Sequence, residues 1–252
     1  MEVAAEAEAV VAAAEVVVAA EVAPAKKKQK MSWDSTYKDN KRIWGDQPSA
    51  LAAYACRYLK AGNLSEKTVE ILDLGCGYGR DAKYLAGTIN CRILGIDNSS
   101  EAIEMANQSL PADLKPSVRF QYCDFSRTDD SKFDILFASM VYHLLTATER
   151  QAFTEIIKKK LKPGGLAFLS MLSPKDPEHY GKGKPVENEA NSFQDEKFIH
   201  FCTREELESD FGFLTINELS EHEYYEPRSN GEVHHHILWI LTGVMQPGSA
   251  RT

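Results

Sequence analysis

The sequence predicts an α/β fold in which a parallel sheet carries helices on both faces and is closed by an antiparallel hairpin. Short, nearly continuous apolar runs alternate with helical stretches through the middle of the chain. Parallel strands buried on both faces have this pattern, because helical crossovers cover the sheet. Near the C terminus, two longer β-like runs at residues 213–225 and 233–244 flank Asn230-Gly231, a strong hairpin signal.

Five apolar runs are predicted to form the parallel strands, in this order along the chain: residues 69–74, 92–97, 118–123, 133–139 and 166–171. Helices are predicted between them at residues 80–86, 101–109 and 149–161. Ser99 and Ser100 precede the second helix, where side-chain hydroxyls cap free backbone amides. Apolar side chains recur on one face of the third helix, which Pro163 and two glycines end.

Residues 1–30 differ from the rest of the chain. They are almost entirely Ala, Val and Glu, followed by Pro24 and a lysine-rich run at residues 26–30. Glu2 and Glu6 stand where a secretory signal would be basic. We expect a flexible tail over residues 1–30, with a targeting address as the alternative interpretation of the lysine run.

Composition restricts the class of protein. The 252 residues carry a net charge of −8, so a broad basic face for nucleic acid is not expected. The five cysteines are scattered without a CxxC pair, which predicts free thiols in a reducing cytosol rather than disulfides or structural zinc. No long uncharged apolar run indicates a membrane span. We therefore expect a cytoplasmic protein with neither nucleic-acid nor membrane partners.

A glycine-rich turn is the most informative segment. Gly75, Gly77 and Gly79 follow the first predicted strand and precede a helix. Glycines let the backbone approach a ligand closely at the carboxyl end of a parallel strand. The spacing is G-x-G-x-G, and Arg80 stands where the dinucleotide fingerprint G-x-G-x-x-G has its third glycine.

Two acidic residues sharpen the interpretation of this turn. Asp73 lies just before it and would repel a pyrophosphate but attract a cationic amino group and a sulfonium. S-adenosylmethionine has both groups and no phosphate. Asp97 ends the second strand, where a carboxylate can accept hydrogen bonds from both ribose hydroxyls. The alternative is a plain turn with Asp97 as a helix cap.

Five ordered blocks of the sequence resemble the class I S-adenosylmethionine-dependent methyltransferases: residues 71–79, 95–97, 123–125, 133–139 and 161–165. The resemblance covers roughly residues 33–244. It implies a Rossmann-like seven-stranded sheet, with five parallel strands closed by a C-terminal antiparallel hairpin. It also implies a methyltransferase domain over residues 31–252 and S-adenosyl-L-methionine as the cofactor.

The resemblance further implies a set of cofactor-binding residues: Trp44, Asp73, Gly75, Gly77, Gly79, Asp97, Asn98, Asp124, Phe125 and Ser139. Within this set, Asp73 and the glycine turn would face the methionine end of the cofactor, and Asp97 would hold the ribose. Asp124 and Phe125 would border the adenine. Ser139 would lie near the sulfonium and the methyl acceptor.

A looser resemblance is to small-molecule enzymes of the tellurite-resistance and thiopurine type. It depends on residues 43–49 and on the polar C-terminal hairpin. Trp44 would close the cofactor pocket, or alternatively only pack against the N-terminal helix. DNA amino-methyltransferases carry Asn/Asp-Pro-Pro-Tyr/Phe after the fourth strand, whereas residues 139–143 read Ser-Met-Val-Tyr-His, which argues against that class.

Histidines are the candidate groups for handling the acceptor. His143 follows the fourth strand and is the candidate catalytic base, with a structural histidine bonded to backbone as the alternative. In the tract 234–236, strand alternation puts His234 and His236 on one face. Two histidines alone would bind metal weakly without an added carboxylate, so no metal ligand is assigned. A hydrogen-bonded pair near the acceptor is favoured, which His222 and Tyr224 could join.

Residues 174–200 form a long polar segment that we interpret as a lid or binding loop, or alternatively as a disordered excursion. Its candidate contacts are Tyr180, Phe193 and His200.

The function predicted is S-adenosylmethionine-dependent methyl transfer to a small-molecule acceptor by a monomer or homodimer. The alternatives are a non-catalytic methyltransferase-like binding module and a protein or aminopropyl transferase on the same fold.

Overall fold

The computed structural model describes residues 33–40, 42, 44–62, 67–125, 131–227 and 231–247. The predictions for the tail at residues 1–30 and for Asn230 in the hairpin turn fall outside these ranges. Within them, no helix combines the length and the apolar character that crossing a bilayer requires.

The strands of the described residues are β1 Val69–Leu74, β2 Cys91–Asp97, β3 Val118–Tyr122, β4 Phe133–Ser139, β5 Leu161–Leu172, β6 Lys184–Pro185, β7 Ser192–Gln194, β8 Phe198–His200, β9 Leu214–Pro227 and β10 Val233–Met245. Seven of them form the sheet at the centre of the fold, in the order β3-β2-β1-β4-β5-β10-β9. Strands β1 to β5 pair in parallel, and β10 is antiparallel to both β5 and β9. The predicted α/β fold with five parallel strands and a C-terminal antiparallel hairpin is confirmed.

Helices cover both faces of this sheet, as predicted. They are α1 Trp33–Asn40, α2 Ala50–Ala61, α3 Arg80–Thr88, α4 Ser100–Gln108, α5 Ala147–Lys160 and α6 Arg204–Asp210. Successive β1 residues point to opposite faces. Ile71 packs in one core with Leu59 of α2 and Leu85 of α3, and Leu72 packs in the other with Phe153 of α5 and Leu207 of α6.

Side-chain caps fix where the helices begin. Ser49 caps α2 and Ser99 caps α4, each accepting a hydrogen bond from a backbone amide three residues on. Thr146 and Glu149 form a capping box at the start of α5, an arrangement that satisfies two free helix-end amides at once. The third predicted helix therefore begins two residues earlier than its apolar pattern indicates.

The strand order creates a crevice at the carboxyl end of β1. This strand pairs with β2 on one side and with β4 on the other, so the order of the sheet reverses there. Ligands of open α/β sheets bind in such a crevice. The glycine turn after β1, Asp97 at the end of β2 and Ser139 at the end of β4 all lie along this edge.

The polar segment between β5 and α6 is folded, which corrects the disordered-excursion alternative. It contains a small antiparallel sheet of the order β6-β7-β8. Ser192 pairs with His200, and Gln194 with Phe198. Tyr180 packs edge-on against Phe193 and Phe201, with ring centroids 5.4 and 5.1 Å away. We call residues 173–203 the insertion.

Candidate active site

A cavity of about 260 Å³ lies at the crevice beside β1. Nine of the eleven residues predicted to bind cofactor or act as base line it: Trp44, Asp73, Gly75, Gly77, Asp97, Asn98, Phe125, Ser139 and His143. The fold thus brings together side chains that are up to about a hundred residues apart in the chain. Gly79 and Asp124 do not lie on the cavity wall.

The two residues outside the wall have identifiable positions. Gly79 is the residue before α3 and has a φ of +74°. A Cβ atom there would lie 2.3 Å from Cζ of Phe120, so the backbone turn and the aromatic neighbour both require glycine. Asp124 is exposed, just after β3. Their predicted contacts with a cofactor stay predictions.

The side chains of Val141 and Tyr37 pack closely against the glycine turn. Gly75 has a φ of +71°, and a Cβ atom on it would lie 2.5 Å from Cγ2 of Val141. At Gly77, with a φ of +53°, the Cβ atom would lie 2.8 Å from the hydroxyl of Tyr37. Glycine is therefore required here for left-handed backbone and for close approach.

Asp73 places a buried carboxylate at the wall of the cavity. Its side chain is buried, and its Oδ2 has no hydrogen-bond partner among the described residues. Burial raises the pKa of Asp73, and the negative charges of Asp81 and Asp97 raise it further. Burying an unpartnered polar group is unfavourable, so this oxygen fits a ligand that brings a cationic donor.

Asp97 holds the glycine turn as well as lining the cavity. Its Oδ2 accepts the Gly77 N–H at 2.8 Å, and its Oδ1 accepts the Ser99 N–H at 2.9 Å. Ser99, not Asp97, is the N-cap of α4, so the capping alternative is wrong. Each carboxylate oxygen can accept a second hydrogen bond, which leaves capacity for ligand hydroxyls.

Aromatic side chains form one end of the cavity. Trp33 and Tyr37 of α1 join Trp44 and Tyr78, and Trp44 stacks on Tyr78 with ring centroids 6.3 Å apart. The hydroxyl of Tyr78 donates to the Gly45 carbonyl at 2.6 Å. Trp44 therefore both packs in this cluster and lines the cavity. The sequence analysis missed the other three, although Trp33 and Tyr37 share one helical face at i, i+4 spacing.

A carboxylate ties α1 to the start of α4 beside the cavity. Asp34 Oδ1 accepts hydrogen bonds from the Ser99 hydroxyl at 2.6 Å and from the Glu101 N–H at 3.2 Å. The bond from Ser99 is the main reason that the pKa of Asp34 is low. These bonds fix α1 at the N terminus of α4, where a negative charge is favourable.

His143 lies in the 3₁₀ turn Tyr142–Leu144 after β4 and is buried. Its Nδ1 has no hydrogen-bond partner among the described residues. Burial, followed by the nearby His236 and His179, lowers the pKa of His143 to about 3. A pKa of about 3 keeps His143 neutral at pH 7, and its role as a catalytic base stays a prediction.

Beyond His143, the insertion meets the start of β10. Asp176 Oδ2 lies 2.9 Å from Nδ1 of His236, and its Oδ1 lies 3.2 Å from Nδ1 of His179. Glu178 Oε2 lies 2.7 Å from Nδ1 of His234. His179 and His236 both line the cavity. Strand alternation is thus correct for the tract, because His234 and His236 share this side.

Of the two residues expected to join His234 and His236, Tyr224 lies opposite His236 and His222 lies apart. His235 points to the opposite side of β10 and stacks on Tyr225 with ring centroids 4.6 Å apart. His222 is bonded to the Ser220 hydroxyl at 2.9 Å and does not join His234 and His236. Tyr224 pairs with His236 across the hairpin.

Asp176, Glu178 and His179 are functional candidates that the sequence analysis missed. Burial acts to raise the pKa of Asp176 and of Glu178, but hydrogen bonds from the neighbouring histidines and backbone amides hold both below their usual values. The only local signal was an Asp-x-x-His pattern inside a segment without strand or helix periodicity.

The candidate contacts chosen in the insertion are corrected by the structure. Tyr180 and Phe193 pack with Phe201, and His200 is bonded to Ser192 and Glu206. None of the three lines the cavity. Lys197 and Ile199 do so instead, and Lys197 Nζ lies 4.3 Å from the ring centre of Trp33.

Comparison with known proteins agrees with this geometry. Residues 71–165 match the family model described as a methyltransferase domain. A sterol 24-C-methyltransferase of Kluyveromyces lactis is 32% identical over 141 residues, which are 53% of this chain and 36% of that protein. The match spans less than half the length of two such relatives: 36% of the sterol methyltransferase and 43% of an uncharacterized protein of Rickettsia prowazekii that is 31% identical over 107 residues.

Solved structures share the fold at low sequence identity. An S-adenosylmethionine-dependent methyltransferase of Methanosarcina mazei has a TM-score of 0.62 at 22% identity, covering 74% of this chain and 97% of its own. The Burkholderia thailandensis 1,6-didemethyltoxoflavin-N1-methyltransferase, bound to S-adenosylhomocysteine, has a TM-score of 0.59 at 20% identity, covering 85% and 86%.

Residues 71–165 are therefore similar to a methyltransferase domain, which supports the resemblance seen in the sequence. The cofactor predicted from the sequence, S-adenosylmethionine, is the one that this domain family uses.

Proposed function

We propose that this protein binds S-adenosylmethionine in the cavity beside β1 and transfers its methyl group to a small-molecule acceptor. The observation that carries the proposal is the unpartnered, buried Oδ2 of Asp73, which faces the cavity next to Gly75 and Gly77. A cationic amino group satisfies that oxygen, and a phosphate does not.

Different residues of the cavity wall would bind different parts of the cofactor. Asp73 would hold the amino group, and Asp97 with Asn98 would hold the ribose hydroxyls. Phe125 would border the adenine, and Trp44 would cover the ligand with the other aromatic side chains. When bound, the cofactor supplies a methyl group on a sulfonium, which is already a good leaving group. The protein's main tasks are therefore positioning and exclusion of water.

Ser139 and His143 mark the end of the cavity assigned to the acceptor. Because His143 is neutral and its Nδ1 is unpartnered, this nitrogen would accept a hydrogen bond from an acceptor N–H, O–H or S–H. That bond would orient a lone pair of the acceptor toward the methyl group. A pKa of about 3 makes His143 a positioning group first and a weak base second.

Two observations support a small acceptor, and a third supports the location of the protein. The cavity is bounded by α1 on one side and by the insertion on another. Sterol and didemethyltoxoflavin methyltransferases are among the similar proteins. All five cysteines are buried free thiols, which fits the cytoplasmic location that belongs to this proposal. The acceptor atom and the tellurite-resistance or thiopurine subtype stay open predictions.

Calorimetry tests the cofactor part of the proposal. Wild-type protein should bind S-adenosylhomocysteine tightly and NAD far more weakly. Asp73→Asn should weaken this binding, while Asp113→Asn, which removes a charge from an exposed loop position, should not. Tight NAD binding without binding of S-adenosylhomocysteine would overturn the assignment.

The acceptor is tested with methyl-labelled cofactor in a metabolite extract passed through a small-pore filter. Label should appear in a small molecule with wild-type protein and disappear with Asp73→Asn. Label found only in retained macromolecules would contradict the small-molecule acceptor.

A further inference from the structure

The side-chain cluster where the insertion meets β10 brings together the side-chain types that bind metal ions. Three imidazoles, His179, His234 and His236, lie nearly parallel, with ring centroids 5.2 to 6.5 Å apart. Two carboxylates, Asp176 and Glu178, lie against them. In the sequence, two histidines without a carboxylate did not indicate a metal site; the fold supplies two carboxylates and a third histidine.

We propose that Asp176, His179 and His236 form a binding site for a divalent transition-metal ion of the Zn²⁺ type at the acceptor end of the cavity. One ligand atom from each residue lies within 4.8 Å of the other two. The site goes beyond the proposed function, because metal binding does not depend on methyl transfer.

The distances suit such an ion. Nitrogen and carboxylate ligands of tetrahedral zinc lie about 2.0–2.2 Å from the metal, which places ligand atoms about 3.4 Å from one another. The Asp176 oxygens lie 2.9 and 3.2 Å from the two Nδ1 atoms, so only small shifts are needed to admit an ion. Asp176 and His236 are buried, while 29% of the His179 side chain is exposed.

The charges and donor types also favour a transition metal. The cluster combines two carboxylates with three imidazoles, the anionic and nitrogen donors that a dication of this kind binds. Imidazole suits Zn²⁺, Co²⁺, Ni²⁺ and Cu²⁺, whereas Mg²⁺ prefers oxygen ligands and water. Glu178 and His234 form a second group with His179, which can supply a further ligand or orient the first set.

A second cluster, formed by the insertion and α6, has similar side chains but differs in its hydrogen bonding and position. His200, Cys202 and Glu206 also lie within ligand range. There, both ring nitrogens of His200 are already hydrogen bonded, Nδ1 to Ser192 and Nε2 to Glu206, each at 2.8 Å. That cluster is a closed hydrogen-bond network away from the cavity. At the proposed site, His179 and His236 face the cavity, as the open position of a catalytic metal site requires.

If the proposed function holds, an ion at this position would contact the methyl acceptor. An acceptor oxygen, nitrogen or sulfur entering the cavity would complete the coordination of the ion. His143, which also lines this end, would then contact the same acceptor from β4.

The test measures metal binding by chelator-treated, full-length protein without cofactor. Calorimetry with Zn²⁺ should give one site per chain, and Co²⁺ should develop the visible absorption bands of a tetrahedral complex. Mg²⁺ should give neither signal. His179→Ala and His236→Ala should each weaken Zn²⁺ binding by roughly tenfold or more and remove the Co²⁺ bands.

The matched control is His235→Ala, which removes a histidine of the same tract on the opposite side of β10. It should leave Zn²⁺ affinity unchanged. His179→Ala is the decisive variant, since its partly exposed side chain can be removed without opening the core, and circular dichroism verifies its fold. Absence of Zn²⁺ binding, or equal losses for His235→Ala and His179→Ala, would overturn the proposal. Failed methyl transfer would not affect this measurement.

Discussion

Asp34 and Ser99 connect α1 to the start of α4 through a hydrogen bond of 2.6 Å between carboxylate and hydroxyl. Because Trp33 and Tyr37 of α1 line the cavity, this bond positions the aromatic wall. Asp34→Ala should therefore weaken S-adenosylhomocysteine binding by about tenfold, corresponding to loss of about 1–2 kcal/mol for a charged hydrogen bond. Most of the effect should appear as faster dissociation in stopped-flow fluorescence. Asp39→Ala, at an exposed position of the same helix, should leave the dissociation rate unchanged.

Asp73→Asn should lower the affinity for the cofactor without lowering the free energy of unfolding. Burial raises the pKa of Asp73, so the folded protein holds a proton that the unfolded chain releases, and stability falls as pH rises above the ordinary Asp value. The neutral variant should thus equal or exceed wild type in its free energy of unfolding at pH 7 without cofactor. Its cofactor affinity should fall about 10- to 100-fold. Urea denaturation and calorimetry measure the two quantities, and a variant that loses stability together with affinity would contradict this explanation.

Gly75→Ala should lower the free energy of unfolding by more than backbone strain alone would. The added Cβ atom would lie 2.5 Å from Val141, whereas Gly164, with a similar φ of +76°, has no heavy atom within 4 Å of its own Cβ position. Gly164→Ala should therefore cost about 1 kcal/mol, and Gly75→Ala about 2–4 kcal/mol, because overpacking adds to backbone strain. Only the Gly75 variant should lose cofactor binding. Equal effects in urea denaturation would show that the contact with Val141 relaxes freely.

His143→Gln should make the protein less sensitive to acid. The ordinary pKa of 6.5 applies to the unfolded chain and about 3 to the folded protein, so protons bind preferentially to the unfolded state between these values. The free energy of unfolding then falls as pH drops below 6.5, by about 1.4 kcal/mol per unit at most. Between pH 7 and pH 5, wild type should lose about 2 kcal/mol more than the variant in urea denaturation. His222→Gln, which alters a partly exposed histidine, should retain the wild-type dependence.

Local signals were sufficient to predict the sheet and the residues that line the end of the cavity proposed for the cofactor. Asp73, Asp97 and the glycine turn lie at strand ends that apolar runs make visible. The acceptor end depends on long-range contacts instead. Asp176 meets His236 across 60 positions of sequence, and nothing in either segment indicates the other. Strands of two or three residues, such as β6 and β7, are too short for any periodicity to appear.

The same dependence on long-range surroundings explains the change in the interpretation of His143. Its place after β4 was correct, but its pKa depends on how deeply the side chain is buried and on His179 and His236 nearby. A sequence gives the ordinary titration range of a histidine and not the environment that moves it.

The strand order has a consequence for synthesis on the ribosome. β9 is made before β10, yet β10 lies between it and β5, so β9 cannot reach its place alone. Until β10 has emerged, β5 presents an unpaired edge that includes the buried residues from Leu166 to Leu172. Such an edge pairs readily with other chains. A nascent chain paused before Val233 would therefore need protection by chaperones, and translation speed over the last two strands would influence the yield of folded protein.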